Sequence, residues 1–485
     1  WVVRNGNVNY GGKYTDAYLG DVFTKDRWTI NVGARWDLQT AKNLASEGEA
    51  NKSFASVLPA LKFGGNDKNI IRWNDISPRV GVSYALDESR KTVLRASFAR
   101  YASQLSYGNV AGSSGENPVG VSILAYQWTD RNGDRFVQPN EINFNDFQYN
   151  INVDPDNPGA VGVTTNKVDR DWKAKHDNEF IVGIDHELMP NFAVGAAYTF
   201  RRADDWDWRA RLAAPCTGEP TRGACPIITA NQYTANAPST ANGYTARTFS
   251  PNPALVTAGG GGRMRTNRDG YYTNFSGIEL TLTKRLSKKW MARGAFSWND
   301  WTEHWKDGVT PTQFVNGNPG PTEVDPLVQG GQVANLSGGS GKASFYTSVK
   351  WQAYGNALVQ LPWDIDLSGV VFGKQGGPYP INLRLSAGRD ATLSALATPE
   401  VDTKRYSNVW DADFRLAKNI KYRDAAVTLS VEVFNALNND VILSRFRTAN
   451  SSAFVDTRAG AESGVGRIEE IIAPRTLRLG ARLSF

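Results

Sequence analysis

Apolar and polar residues alternate with a period of two along most of the chain, in stretches of about 9 to 13 residues. Within 29–37 the apolar set is Ile30, Val32, Ala34 and Trp36, while Asn31, Gly33, Arg35 and Asp37 fall on the other side. Near the end Val427, Leu429, Val431 and Val433 alternate with Thr428, Ser430 and Glu432. The last stretch sets Leu477, Leu479, Ala481, Leu483 and Phe485 against Arg478, Gly480, Arg482 and Ser484. Successive side chains of a β-strand point to opposite faces, so each stretch predicts a strand with one apolar and one wet side. The pattern recurs about thirteen times, at the length a tilted strand needs to cross a bilayer.

The connections separate two architectures that share this alternation, a soluble sandwich and a membrane barrel. Tight turns are expected near Lys25, Asp87 to Ser89, Met189 to Asn191, Leu286 to Lys288, Pro362 and Lys421 to Arg423. Between them lie long segments at 39–75, 102–174, 204–269, 303–344, 375–405 and 438–473, far beyond ordinary connections of about 4–6 residues. Short and long connections alternate strictly, as in a barrel with short periplasmic turns and long extracellular loops. The polar faces carry Arg79, Arg95, Asp185, Glu279, Arg293, Asp411, Asp413 and Arg415. A sandwich core could not desolvate so many charges, whereas a watery lumen can hold them. The expected fold is all-β, an antiparallel transmembrane β-barrel. Because single-chain bacterial barrels close with an even number of strands, an odd count leads us to expect further strands ahead of Trp1.

Composition sharpens this in a few places. The mean hydropathy of −0.42 and the lack of any apolar run of about 18 residues exclude a membrane-spanning helix, but not a barrel, which hides only every second side chain in lipid. The 15 Trp, 18 Tyr and 21 Phe suit the aromatic belts of a membrane protein. A net charge of +6 from interspersed charges, with no basic block, gives no reason to expect a nucleic-acid partner. Cys216 and Cys225, the only cysteines, fit a small loop disulfide in an oxidising compartment, free thiols being the alternative.

One motif carries definite chemistry. In 130–141, Asp130, Asn132 and Asp134 occupy positions 1, 3 and 5 of a twelve-residue calcium loop, the Phe136 carbonyl position 7 and Glu141 the bidentate position 12. The usual Gly at position 6 is Arg135, and a solvated Asx-rich turn is the alternative reading. The run Asp204, Asp205, Trp206, Asp207 and Trp208 reads as strand continuation with interfacial Trp residues, or as a contact for ligand or lipopolysaccharide cations. Gly259 to Gly262 reads as loop. His176, His186 and His304 lack metal-ligand spacing, and no nucleophile motif accompanies them, so no catalytic site is expected.

Several segments resemble the TonB-dependent outer-membrane receptors, and within them the Oar-like branch: TINVGARWDLQT from Thr29, ISPRVGVSYAL from Ile76, KTVLRASFARYASQL from Lys91, VEVFNALNN from Val431, and PRTLRLGARLSF at the end. The resemblance implies a 22-stranded barrel around an N-terminal plug, of which this chain would supply about 13 C-terminal strands. It implies coupling to the TonB-ExbB-ExbD complex, and recognition of the terminal strand with Phe485 by the barrel-assembly machinery. Outer-membrane lipid, lipopolysaccharide and an extracellular ligand or protein are the other partners it implies. Nothing near Trp1 to Tyr10 resembles a TonB box. The expected function is uptake of a ligand through a plugged barrel. The other classes are a passive channel and a surface adhesion or docking scaffold.

Overall fold

Thirteen alternating stretches become long strands, hydrogen-bonded in chain order into one antiparallel sheet in the computed structural model. They are β1 (Tyr10–Lys25), β2 (Trp28–Asn43), β3 (Ile71–Ala85), β4 (Thr92–Ala102), β5 (His176–Met189), β6 (Phe192–Asp204) and β7 (Tyr272–Ser287). β8 (Trp290–His304), β9 (Trp351–Leu361), β10 (Ile365–Lys374), β11 (Val409–Tyr422), β12 (Ala425–Phe434) and β13 (Thr476–Ser484) complete the path, and the short piece Gly331–Gln332 pairs alongside β8. The structure describes all residues except 112–114, 161–165, 230–231, 247–248, 256–261, 305–330, 333–347, 387–391, 399–400, 423–424 and 451–463. β1 and β13 are the two edges of this sheet, and with every pairing antiparallel they run in the same direction.

Register lines up the apolar positions. Ile30, Val82, Ala96, Val182, Tyr198, Ile278, Trp298 and Trp351 stand opposite one another across eight strands and form one row of the outward face. Aromatic rings bound this face at both ends. Trp28 packs on Tyr84 at 4.3 Å and Phe192 lies 6.4 Å from Trp290 near the short turns, while Trp351 lies 5.6 Å from Trp410 near the long loops. Trp28 to Trp36 and Trp290 to Trp298 are each eight positions apart. At about 3.3 Å per residue and a tilt of about 40°, that separates the two belts by roughly 20 Å, near the apolar height of an outer-membrane barrel.

The opposite face carries the charges, and they pair across strands. Arg35 contacts Asp37 at 2.8 Å and Asp16 at 3.2 Å, and Arg95 pairs with Asp185. Glu432 stands directly between Arg415, at 3.0 Å, and Arg478. Exposed pairs of this kind contribute about 0–1 kcal/mol each. Their value here is to separate like charges: Arg35 bridges Asp16 and Asp37, which stand directly opposite each other, and Glu432 lies between two arginines.

The expected tight turns all fall between strands, with 423–424 outside the described residues. The long connections differ from expectation at their edges. β2 runs to Asn43 and β3 begins at Ile71, so the first connection is 44–70 rather than 39–75. The pairing continues because Gln39, Ala41 and Trp73 are buried on the inner side instead of ending in water. The others run 103–175, 205–271, 305–350, 375–408 and 435–475.

The β7–β8 turn carries Lys288 at φ 50° and Lys289 at φ 67°. Two consecutive left-handed residues mark the hairpin turn that favours Asn-Gly, and a residue with a Cβ pays about 1 kcal/mol there. Lys288→Asn with Lys289→Gly should therefore stabilise the sheet by about 1 kcal/mol, read from urea midpoints of the protein folded into liposomes. A lowered midpoint would refute that account of the turn.

Candidate functional site

At the long-loop end the inner face of the sheet is covered by the protein's own loops. Gln39 is only 2% exposed; its side chain donates to the Ser103 carbonyl at 3.1 Å and accepts from the Leu105 amide at 2.8 Å. Around it Ala41, Ile71 and Trp73 of β2 and β3 pack with Leu105, Val110 and Trp172 of 103–175. Trp73 donates its indole N–H to the Trp172 carbonyl at 2.7 Å, and the rings meet edge to face at 4.9 Å. The bidentate pair of Arg170 with Glu116, both bonds 2.8 Å, ties the far ends of this loop together.

The next loop is rooted on a histidine. His176, the first residue of β5, has its Nε2 2.9 Å from Asp75 and its Nδ1 3.1 Å from Asp205. Ionised carboxylates only accept, so both ring nitrogens donate and the ring is an imidazolium. It joins the end of β3 to the start of 205–271. The bond from His176 holds the Asp205 carboxyl below the ordinary carboxylate range, against the opposing effect of burial. Trp206 is buried beside Ala203 and Tyr271 and donates to the Ala203 carbonyl at 3.1 Å. Beyond it Asp207–Arg211 pairs antiparallel with Arg263–Asn267, which pairs parallel with Lys167–Val168 of the preceding loop. Cys216 and Cys225 are bonded, with Cα atoms 4.7 Å apart, and pack on Leu212 and Met264.

A third core joins loops from distant strands: Ala246, Ile381, Leu383, Ala395 and Ala449 pack together, and Asn242 donates to the Ala449 carbonyl at 2.7 Å. The loops therefore form a connected cap over the inner face.

From this cap a hairpin, Ser122–Trp128 with Ile142–Ile151, presents aromatic side chains to water. Tyr126 meets Phe144 at 5.2 Å and Phe147 at 5.7 Å, and Trp1 meets Tyr149 at 6.3 Å. Phe144, Phe147 and Tyr149 are each exposed to 40% or more. Arg4, itself buried, anchors the base by donating to the carbonyls of Pro59, at 2.5 Å, and Pro158, at 2.8 Å. Such a strip offers large rigid rings at little entropic cost, as binding surfaces do.

The expected calcium segment is the tip of this hairpin. Asp130 accepts from the amides of Gly133 and Arg135 at 2.7 and 3.0 Å, Asn132 from Asp134 at 3.0 Å, and Asp134 from Phe136 at 2.7 Å. Glu141 reaches back to the amides of Arg131 and Gln138 at 3.0 and 3.1 Å. Arg135 takes φ 63°, the left-handed conformation that glycine usually supplies at that position. Among the described residues no three His, Cys, Asp or Glu side chains converge as metal ligands.

Other expected sites are dispersed. Trp206 and Trp208 are not interfacial but buried in the cap, because their backbone turns inward after β6, and Asp204, Asp205 and Asp207 pair with Arg202, His176 and Arg265. His186 bonds Thr92 at 2.8 Å on the outward face and His304 stacks on Tyr272 at 5.0 Å, so the three histidines stay apart. Gly259 to Gly262 lies almost wholly outside the described residues. Phe485 follows β13, fully exposed. The partners that sequence reasoning missed, Asp75 with His176 and Trp73 with Trp172, are separated by 101 and 99 positions and leave no local signal.

With the Asp205 carboxyl held low, the latch contributes fully between the ordinary aspartate value of about 3.9 and the ordinary histidine value of about 6.5, and it is lost as pH falls through the depressed Asp205 value. Acrylamide quenching of Trp206, taken as the difference from a Trp206→Phe protein, should rise as pH drops below about 4. Asp205→Asn should show the higher quenching already at neutral pH; equal quenching of the two proteins there would overturn the latch.

A family model described as outer membrane beta barrel domain matches residues 2–358. The chain is 24% identical over 220 residues to the TonB-dependent transporter Oar of Myxococcus xanthus, a match covering 39% of this chain and 17% of that protein. Among solved structures it is similar to the siderophore receptor PiuA from Acinetobacter baumannii, at 12% identity and a TM-score of 0.44, covering 98% of this chain and 44% of that one. It is also similar to the ferric-catecholate import receptor Fiu from E. coli K12, at 12% identity and a TM-score of 0.46, covering 98% and 45%. The chain thus spans less than half the length of these receptors, and the match to Oar less than a fifth of that protein. These relatives are transporters and receptors, not enzymes. With the family model laid over a sheet whose outward face is apolar and whose inner face is charged, the chain belongs to the outer membrane β-barrel family and resides in the Gram-negative outer membrane.

Proposed function

We propose that the chain is the barrel-and-loop portion of a TonB-dependent receptor that captures a ligand outside the cell and imports it through a plugged, 22-stranded barrel. In this reading the long loops face outward, the aromatic hairpin makes first contact with the ligand, and the TonB-ExbB-ExbD complex supplies the work of passage. The barrel-assembly machinery would read β13 and Phe485 during insertion. The observation that carries the proposal is the cap: Gln39, Ala41 and Asn43 on the inner face of β2 are buried beneath ordered loops, which suits gated capture better than an open passive channel. The exposed rings of Phe144, Phe147 and Tyr149 favour a second reading, a docking scaffold whose aromatic strip holds a partner protein.

Depletion of compounds from growth medium, compared between cells with and without the protein, distinguishes the readings. Import predicts a compound removed only when the protein is present and the proton motive force is intact. Removal that persists after a protonophore would reject energised import, and no removal would favour the scaffold. Phe144→Ser with Phe147→Ser should lower the removal rate roughly tenfold, for two lost aromatic contacts of about 0.5–1.5 kcal/mol each.

Calcium binding at 130–141 belongs to the same proposal, supported by the side-chain oxygens of Asp130, Asn132, Asp134 and Glu141 and by left-handed backbone at Gly133 and Arg135. The ion would draw these oxygens together and stiffen the tip of the aromatic hairpin. Titration calorimetry should then show uptake with a dissociation constant of about 10⁻⁴–10⁻³ M, as for extracellular modules, that Asp130→Ala with Asp134→Ala removes. Equal heats from both proteins would mean that the turn is held by its own hydrogen bonds alone.

A further inference from the structure

The outward face of the sheet is not evenly filled. One groove of about 490 Å³ is lined by Ile184, Val194, Ala196, Leu280, Leu282 and Phe296. It exists because Ala196 and Gly294 stand where neighbouring outward positions carry larger side chains. It lies within the apolar band, so its occupant is apolar. Toward the short turns the next outward residue of β7 after Leu282 is Lys284. Its ammonium donates to the Arg285 carbonyl at 2.7 Å and the Ser287 hydroxyl at 2.5 Å, 4.7 Å from the Trp290 ring centre. Just past it Lys288 and Lys289, the two residues of the turn, are both exposed. The nearest acids of β5 and β7, Glu187 and Glu279, belong to the inward register. A groove for hydrocarbon therefore ends at a cluster of bases beside an interfacial tryptophan.

A second groove tests whether this is more than surface roughness. It is of similar size, about 510 Å³, and is lined by Leu416, Leu429, Leu479 and Ala481, with Lys418 at its end. Lys418 donates to the Trp363 carbonyl, the turn beside it carries Asp364, and Lys421 follows on β11. The apolar depression and the snorkelling lysine recur; what the first groove adds is a turn made of two consecutive lysines. There, two of the bases, Lys288 and Lys289, occupy left-handed positions that Asn and Gly would fill with less strain. Keeping lysine at both runs against local preference, which is expected where a side chain serves a ligand.

We propose that this groove and the β7–β8 turn form a binding site for an anionic glycerophospholipid of the adjoining leaflet. One acyl chain lies along Leu280, Leu282 and Phe296, and the phosphate sits on Lys288 and Lys289 with Trp290 at the ester level. The inference rests on the outer-membrane location and not on import, so failure of the transport reading leaves it standing. Bases beside an anionic membrane surface favour anionic lipid by about fivefold each.

The test is native mass spectrometry of the purified protein, in detergent micelles holding equal amounts of phosphatidylglycerol and phosphatidylcholine. The unchanged protein should retain phosphatidylglycerol in preference. Lys288→Asn with Lys289→Gly should cut that preference about twentyfold without loss of fold, since the turn accepts these residues readily. Ala196→Phe, which fills the groove, should lower retention of both lipids. Equal retention of the two lipids by the unchanged protein overturns the site, as does a preference unmoved by the turn variant. Displacement of phosphatidylglycerol by an equal amount of lipid A would overturn the assignment to a glycerophospholipid.

Discussion

Every peptide group placed in hydrocarbon must find its partner within the protein, because no water is available to replace a missing hydrogen bond. Most of this chain follows from that requirement. Strands pair in chain order over seven to sixteen residues, and the pairing locks a register in which a one-residue slip would turn each apolar side chain inward and each charge into lipid. The ladders, not a packed interior, hold the sheet. Most of its apolar residues face outward, and the buried clusters lie in the loops and where loops meet the upper inner face.

That inversion decides where specificity can be built. On the inner face charges are matched across strands, as at Glu432 between Arg415 and Arg478, so the wet wall carries paired charge along its last strands. Above the upper belt the same strands continue, but their inner residues turn small or apolar and accept loops. Gln39 marks the change: one strand turn below it Arg35 meets Asp37, and at Gln39 itself the side chain serves loop backbone.

The sheet was legible in the sequence because its information is local. Alternation gives each strand its two faces, and Asn, Asp or Pro punctuate most of the hairpins. The loop cap was not legible, because its determinants are pairs separated by about a hundred positions, His176 with Asp75 and Trp73 with Trp172. The tryptophans at 206 and 208 show the difficulty plainly. A tryptophan just past a predicted strand suits a membrane interface, and only the inward turn of the backbone places both in a protein core. The cysteine pair was readable because nine residues leave little choice of partner, and the bond joins them as spacing suggested. The turn at 130–141 is a different case: its hydrogen bonds are those of an Asx-rich turn, and among the described residues no three acidic side chains converge on a metal position.

The core shared by Ala246, Ile381 and Ala449 has a bearing on how such a protein changes over generations. Surface loops that stand apart can drift one at a time, and a host or a phage then faces a mosaic of independent segments. Here a larger side chain at one of these positions displaces segments rooted on strands far around the sheet. A larger side chain in this cap therefore calls for matching changes in the other two loops, and a molecule that grips one loop is testing the packing of three.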